Sequence, residues 1–151
     1  MEIINAGWID GYFYRKHLGM TLTVNRNKSV ADIQEEFNRY FPYLRLEFFL
    51  PGRKITGDEK TRSNGDPGSV KPVGSRLEGA LEVADTMTIS QFEESFLETF
   101  GLKVQVLRRS GSVWLQTSLT SGWSLKRQNE QGREISMVSI KKAMRYRPGN
   151  G

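Results

Sequence analysis

The chain has 151 residues, no cysteine, one histidine and a formal net charge of +5. This length fits one domain with a real core, and the lack of cysteine excludes disulfides, a thiolate nucleophile and cysteine-based zinc sites. No stretch approaches the roughly 18 apolar residues that a membrane-spanning helix needs, so we expect no membrane partner.

The N-terminal sequence, MEIINAGWIDGYFYRKHLG, lacks the basic start and apolar stretch of a signal peptide. We therefore expect an intracellular, cytoplasmic protein. Residues 1–19 precede a repeated pattern and are interpreted as an N-terminal appendage. Their aromatic run, Ile9–Leu18, is a candidate for an additional strand.

The chain repeats one pattern of elements. The segment SVADIQEEFNRYFPYLRLEFF, residues 29–49, is matched by TISQFEESFLETFGLKVQVL, residues 88–107. A shift of 59 residues aligns Leu22 with Leu81 and one helical pattern with the other. After one deleted residue, the run LRLEF aligns with LKVQV. Each copy therefore predicts a strand, a helix and a second strand.

Both predicted helices have clear boundaries. Ser29 and Thr88 are suitable N-caps, and Thr88 with Gln91 has the spacing of a capping box. Pro42 and Gly101 are expected to end the helices. Each helix carries an apolar stripe at helical spacing, at positions 30, 33, 37 and 41 and at positions 89, 92, 96 and 100.

Two strand–helix–strand units in tandem resemble the ferredoxin-like arrangement, so we predict an α+β fold with an internal duplication over residues 20–122. A tight turn at Arg109–Ser112 precedes an added strand, Val113–Thr117, and predicts a hairpin. A long loop, residues 51–75, separates the copies, and its polar part, Arg53–Ser75, is typical of functional or disordered loops.

A second resemblance gives an alternative fold. TLTVNRNKSVADIQEEF and LRLEFFLPGRKITGD resemble the hairpin, helix and strand of ubiquitin-like β-grasp domains, and the sequence ends in Gly151. This resemblance implies two β-grasp-like units. FEESFLETFGLKVQVLRRSGSVWLQTS and GWSLKRQNEQG resemble a group of small uncharacterised bacterial proteins, which implies no mechanism.

The sequence contains little that predicts catalysis. His17 lies in the stretch YRKHLG without the context of a nucleophile elbow. The paired carboxylates Glu35–Glu36 and Glu93–Glu94 are explained by the solvated faces of the two helices. The glycine-rich pieces do not join a strand to a helix as a phosphate loop does. We expect no enzyme, no catalytic residue, no cofactor and no metal.

The positive charge is concentrated in residues 123–151, which contain seven basic and two acidic residues. This segment is predicted to be partly flexible, with a short basic helix or strand at Ile135–Tyr146. Basic and aromatic side chains there are candidates for contact with nucleic acid or a protein partner. They are Trp123, Lys126, Arg127, Arg133, Lys141, Lys142, Arg145, Tyr146 and Arg147.

An RNA-recognition motif is not indicated, because the strands TLTV and GALEV lack the aromatic residues that stack on bases. The preferred hypothesis is a non-enzymatic binding or regulatory protein that associates with nucleic acid through its basic C-terminal segment. The alternative is a protein-interaction or self-assembling adaptor module, which includes a homo-oligomer and a β-grasp protein.

Overall fold

The structure is a computed structural model that describes residues 6–9, 12–15, 19–25, 27–55 and 78–145; the first two ranges are described as backbone only. His17, the loop after Ile55 up to Ser75, Tyr146 and Arg147 lie outside the described residues. The strands are β1 (Ala6–Ile9), β2 (Tyr12–Arg15), β3 (Gly19–Val24), β4 (Leu44–Leu50), β5 (Arg53–Lys54), β6 (Gly79–Ala84), β7 (Lys103–Ser110) and β8 (Val113–Gln116). The helices are α1 (Val30–Tyr40), α2 (Ile89–Phe100) and α3 (Leu125–Arg145).

Both predicted helices form, and their first turns are capped in the same way. Ser29 Oγ accepts from the Asp32 amide at 3.1 Å, and Asp32 Oδ2 accepts from the Ser29 amide at 2.8 Å. Thr88 and Gln91 form the same reciprocal pair at 3.1 and 2.9 Å. Each box satisfies two amides that have no partner within the helix. α2 ends at Gly101, whose left-handed φ of 66° favours glycine.

The strands belong to two main antiparallel sheets and a small hairpin. β3 pairs with β6, while the second sheet has the order β5-β4-β7-β8. β1 pairs with β2 in the N-terminal segment, so the predicted additional strand is half of a two-stranded hairpin. The predicted hairpin after β7 is confirmed, with Ser110 opposite Val113 and a left-handed Gly111 in the turn.

The α+β class is confirmed, but the strand pairing departs from the ferredoxin-like order. In that order, the second strands of the two units lie apart in one sheet. Here β4 and β7 are direct neighbours, and β3 and β6 form a separate sheet. Because each unit contributes strands to both sheets, the two units do not form separate sheets as two β-grasp-like units would.

Equivalent positions of the two units face each other in both sheets. Leu22 lies opposite Leu81 in the β3–β6 pair. Glu47 lies opposite Gln105 in the β4–β7 pair. These are the residues that the repeat alignment matches, so a pseudo-twofold axis passes through both pairs, as in a symmetric dimer interface.

The core lies where the two helices meet the two sheets. All eight residues of the predicted helical stripes are buried. Phe37 of α1 contacts Phe92 of α2 with ring centroids 5.2 Å apart, and Phe48 of β4 contacts Phe96 at 5.4 Å. Such tilted aromatic pairs add to the free energy gained by burial. The matched phenylalanines are therefore structural, and function has to be sought outside them.

Candidate functional site on the third helix

The basic C-terminal segment forms one helix, α3, which is 21 residues long. It begins ten residues before the predicted short element at Ile135–Tyr146, so that prediction was too short. Ser124 caps its first turn, because Ser124 Oγ accepts from the Arg127 amide at 3.1 Å. The Leu125 amide donates to the Met87 carbonyl at 2.8 Å and anchors this turn on the loop before α2.

The first half of α3 is fixed by buried polar contacts. Gln128 is fully buried, and its Nε2 donates to the Thr120 carbonyl at 2.9 Å. Arg108 Nη1 donates to Gln128 Oε1 at 3.0 Å. Asn129 Oδ1 accepts from the Tyr43 amide at 2.9 Å. These bonds satisfy groups that would be costly to bury unpaired, so they fix the orientation of the helix.

Gly132 marks the closest approach of α3 to the sheet. A Cβ atom placed there would lie 2.9 Å from Tyr43 Cβ, 3.1 Å from Arg108 Cγ and 3.2 Å from the Arg109 carbonyl oxygen. The helix can approach this end of the β4–β7 pair only because residue 132 has no side chain.

The second half of α3 is exposed, with Ser139 lying close to the Gly111 turn between β7 and β8. Each residue from Met137 to Arg145 is exposed, including the apolar side chains Met137, Val138, Ile140 and Met144. In α1 and α2 the apolar stripe is buried. α3 is therefore an anchored helix whose last two turns present both cations and apolar groups to solvent.

The structure places the described candidate residues on or directly before this helix. Trp123 precedes α3, and its ring lies 3.8 Å from the guanidinium carbon of Arg127. This cation–π contact occupies one face of the ring, so base stacking there requires Arg127 to move. The remaining described candidates are exposed on α3 and are not gathered into a single cluster: Lys126, Arg133, Lys141, Lys142 and Arg145.

A shallow cavity of about 150 Å³ opens beside the first turn of α3. Asp85, Lys126 and Glu130 line it together with Tyr40, Phe41 and Asn129. Its volume is well below the several hundred cubic ångströms typical of small-molecule sites. The cavity is therefore small for a drug-sized ligand.

Sequence reasoning missed a second cationic surface, on the outer face of the four-stranded sheet. Arg45 lies over the ring of Trp114 at 6.0 Å from the centroid, and Trp114 is paired with Arg109 across β7 and β8. The alternation of apolar and polar residues at the start of β4 was a sequence signal that Arg45 faces away from the core. Strand pairing, which the sequence does not specify locally, is what brings Trp114 beside it.

Three of the four paired carboxylates form contacts within the chain. Glu35 pairs with Arg39 at 3.3 Å and Glu36 with Lys28 at 2.6 Å. Glu93 Oε1 accepts from the Val106 amide at 3.0 Å, and its burial raises the pKa of the carboxyl group. Within the described ranges, no group of histidine, aspartate and glutamate could hold a metal ion.

The chain matches no protein-family model, and no curated protein or solved structure shows significant similarity to it. The resemblance to small uncharacterised bacterial proteins therefore stays a prediction. In the part of the chain that the structure describes, no helix has both the length and the apolar character needed to cross a bilayer.

Proposed function

We propose that this is a non-enzymatic, cytoplasmic protein that binds nucleic acid through the exposed cationic side of α3. The observation that carries the proposal is the distribution of charge along this helix. α3 has six basic and two acidic residues, and both acids, Glu130 and Glu134, lie in its first half. The exposed second half contains Lys141, Lys142 and Arg145 and no acid.

Cations on a rigid element suit the recognition of a phosphate backbone. Each Lys or Arg that neutralises a phosphate releases a condensed counterion, which provides affinity without reading sequence. The buried contacts of Gln128 and Gly132 hold α3 in place. The side chains at its end therefore lose only their own rotamer freedom on binding, and not the freedom of a whole segment.

The geometry of the helix further restricts which cations act together. Arg127 and Arg145 are about five helical turns apart and therefore point in the same direction. Lys142 lies roughly 60° around the helix from Arg145 at 100° per residue. These three side chains define the phosphate face, a surface about 27 Å long at 1.5 Å per residue. A duplex carries two phosphates within every 3.4 Å or so, so this length spans several contacts.

The test is binding of the full chain to labelled duplex DNA and to single-stranded RNA, measured by fluorescence anisotropy over a range of salt concentrations. The double variant Lys142→Gln and Arg145→Gln should weaken binding to every sequence and reduce the slope of log K against log salt by about 2. The matched control is Lys54→Gln with Lys103→Gln, which removes the same charge from the sheet.

Absent or salt-insensitive binding would refute the proposal. A control pair that weakens binding more than the α3 pair would move the interface to the outer face of the four-stranded sheet. Wild-type-like unfolding midpoints for both double variants would show that the comparison reports on charge and not on folding.

A further inference from the structure

Most of the large apolar side chains that the described residues expose lie in the C-terminal part of the sequence. Seven of the eight large apolar side chains exposed in the described residues lie between Val113 and Met144. Three of them, Met137, Ile140 and Met144, follow the three- and four-residue spacing of a single helical stripe. Exposed apolar groups that form a stripe indicate an interface more strongly than scattered ones do.

We call these three apolar residues the α3 stripe. Their heptad register can be extended toward the N-terminus of α3, where the equivalent positions are charged. Taking Met137 and Met144 as a positions and Ile140 as a d position places Arg133 at the preceding d position and Glu130 at the preceding a position. Glu134 and Lys141 then occupy successive e positions beside the stripe. Residues at these positions flank the seam between two helices in a coiled coil.

The charges on α3 favour a particular partner, a second copy of the same helix running in the opposite direction. Parallel pairing would bring Lys141, Lys142 and Arg145 of both copies together. Antiparallel pairing instead places the cationic end of each helix beside the half that contains Glu130 and Glu134. Like charges at close range oppose association and unlike charges favour it.

We propose that the α3 stripe is a self-association surface through which two copies of this chain form an antiparallel helix pair. Met137 of one copy packs near Ile140 of the other, so the twofold axis passes between these positions. Glu134 of one copy then lies beside Lys141 of the other, and symmetry creates this pair twice. Among the described residues, neither side chain forms an ion pair within its own chain.

The remaining surfaces of α3 are compatible with this pairing. Met137 lies about 140° around the helix from Gly132, where α3 touches the sheet. Arg133, Glu134 and Lys141 are all exposed. Arg145, on the phosphate face, lies about 100° from Met144. Dimerisation therefore leaves that face open, and a dimer would present two of them to one nucleic acid, which raises avidity.

The experiment is sedimentation velocity of the nucleic-acid-free full chain from about 1 μM to about 1 mM, with charge swaps that distinguish between arrangements. Lys141→Glu and Glu134→Lys should each weaken the dimer about tenfold, because each replaces two attractive pairs by two repulsive ones. The double swap should restore the wild-type dissociation constant. Within one chain these residues are about two turns apart, so rescue requires contact between copies.

Apolar variants provide the second test. Met137→Ser with Ile140→Ser should abolish the dimer, whereas Val138→Ser, an exposed change outside the stripe, should leave it unchanged. Circular dichroism measures the helix content of each variant. We expect it to be unchanged, because all these positions are exposed.

A monomer at every concentration would overturn the proposal, as would a dimer that ignores both single swaps or is not rescued by the double swap. A monomer that binds phosphatidylserine vesicles, and loses this binding in the Met137→Ser and Ile140→Ser variant, would assign the stripe to a membrane surface instead.

Discussion

Replacing Gly132 by alanine should destabilise the protein, although the same change in an ordinary helix stabilises it. The new Cβ would meet Tyr43 Cβ at 2.9 Å and the Arg109 carbonyl oxygen at 3.2 Å. Neither atom is the far end of a flexible side chain, so α3 itself has to move. Inserting a methyl group into a packed contact costs about 1–3 kcal/mol. Alanine recovers about 1 kcal/mol of helix propensity, which leaves a net loss of about 1 kcal/mol.

The assay is urea unfolding followed by circular dichroism and by tryptophan fluorescence. Gly122→Ala is the matched control, because a Cβ at residue 122 has no neighbouring atom within 4 Å. It should be neutral or slightly stabilising through the unfolded state. The net loss at Gly132 corresponds to a fall in melting temperature of about 2–4 °C for a chain of this length. A Gly132→Ala variant as stable as the wild type would show that α3 does not pack against Tyr43 as described.

Two further predictions concern α2. Burial raises the pKa of the Glu93 carboxyl group in the folded protein, although the hydrogen bond from the Val106 amide opposes this shift. Protonation of Glu93 therefore contributes stability that is fully present below the ordinary pKa of 4.5 and is lost as pH rises through the folded pKa. Glu93→Gln should therefore stabilise the protein at neutral pH and flatten the pH dependence of urea unfolding, while the exposed Glu94→Gln should not. Phe96→Ala should cost about 3–5 kcal/mol in the same assay, since Phe96 is fully buried. Leu97→Ala, which truncates a half-exposed neighbour, should cost far less.

The parts of the fold that local chemistry determines could be predicted from the sequence. A capping residue, its partner three positions later and an apolar stripe all lie within one helix, so α1 and α2 begin and end close to where they were expected. The Gly111 turn was predictable for the same reason. These features depend on contacts between residues a few positions apart.

Strand pairing was not predictable in this way. The alternation along β4 indicates that Leu44, Leu46 and Phe48 face the core, and it is equally compatible with several neighbours. The pairing depends on how the strands pack against both helices. α1 packs on β3 and β4, and α2 packs on β6 and β7. Two sheets that both contact the helices bury the same residues as a single sheet would. The sequence pattern cannot distinguish between the two arrangements.

The extent of α3 was missed because its packed face does not look apolar. The buried positions of this helix are Leu125, Gln128, Gly132 and Ser136, of which only the first is a large apolar residue. Helix prediction relies on an apolar stripe, and here the apolar stripe points to solvent. The heptad spacing of Met137, Ile140 and Met144 was the available signal, and it indicates a surface for a partner.

The symmetry of the core explains why function should be sought in α3. A pseudo-twofold axis through the Leu22–Leu81 and Glu47–Gln105 pairs relates each described element of one unit to one of the other, from β3 and β6 to the hairpin strands β5 and β8. The matched helices bury their apolar stripes against the sheets, whereas the apolar stripe of α3 is exposed. α3 follows only the second unit in the described part of the chain. Among the described residues, each residue of its second half from Met137 to Arg145 is exposed, so we expect its apolar and cationic groups to be available to a second copy and to nucleic acid.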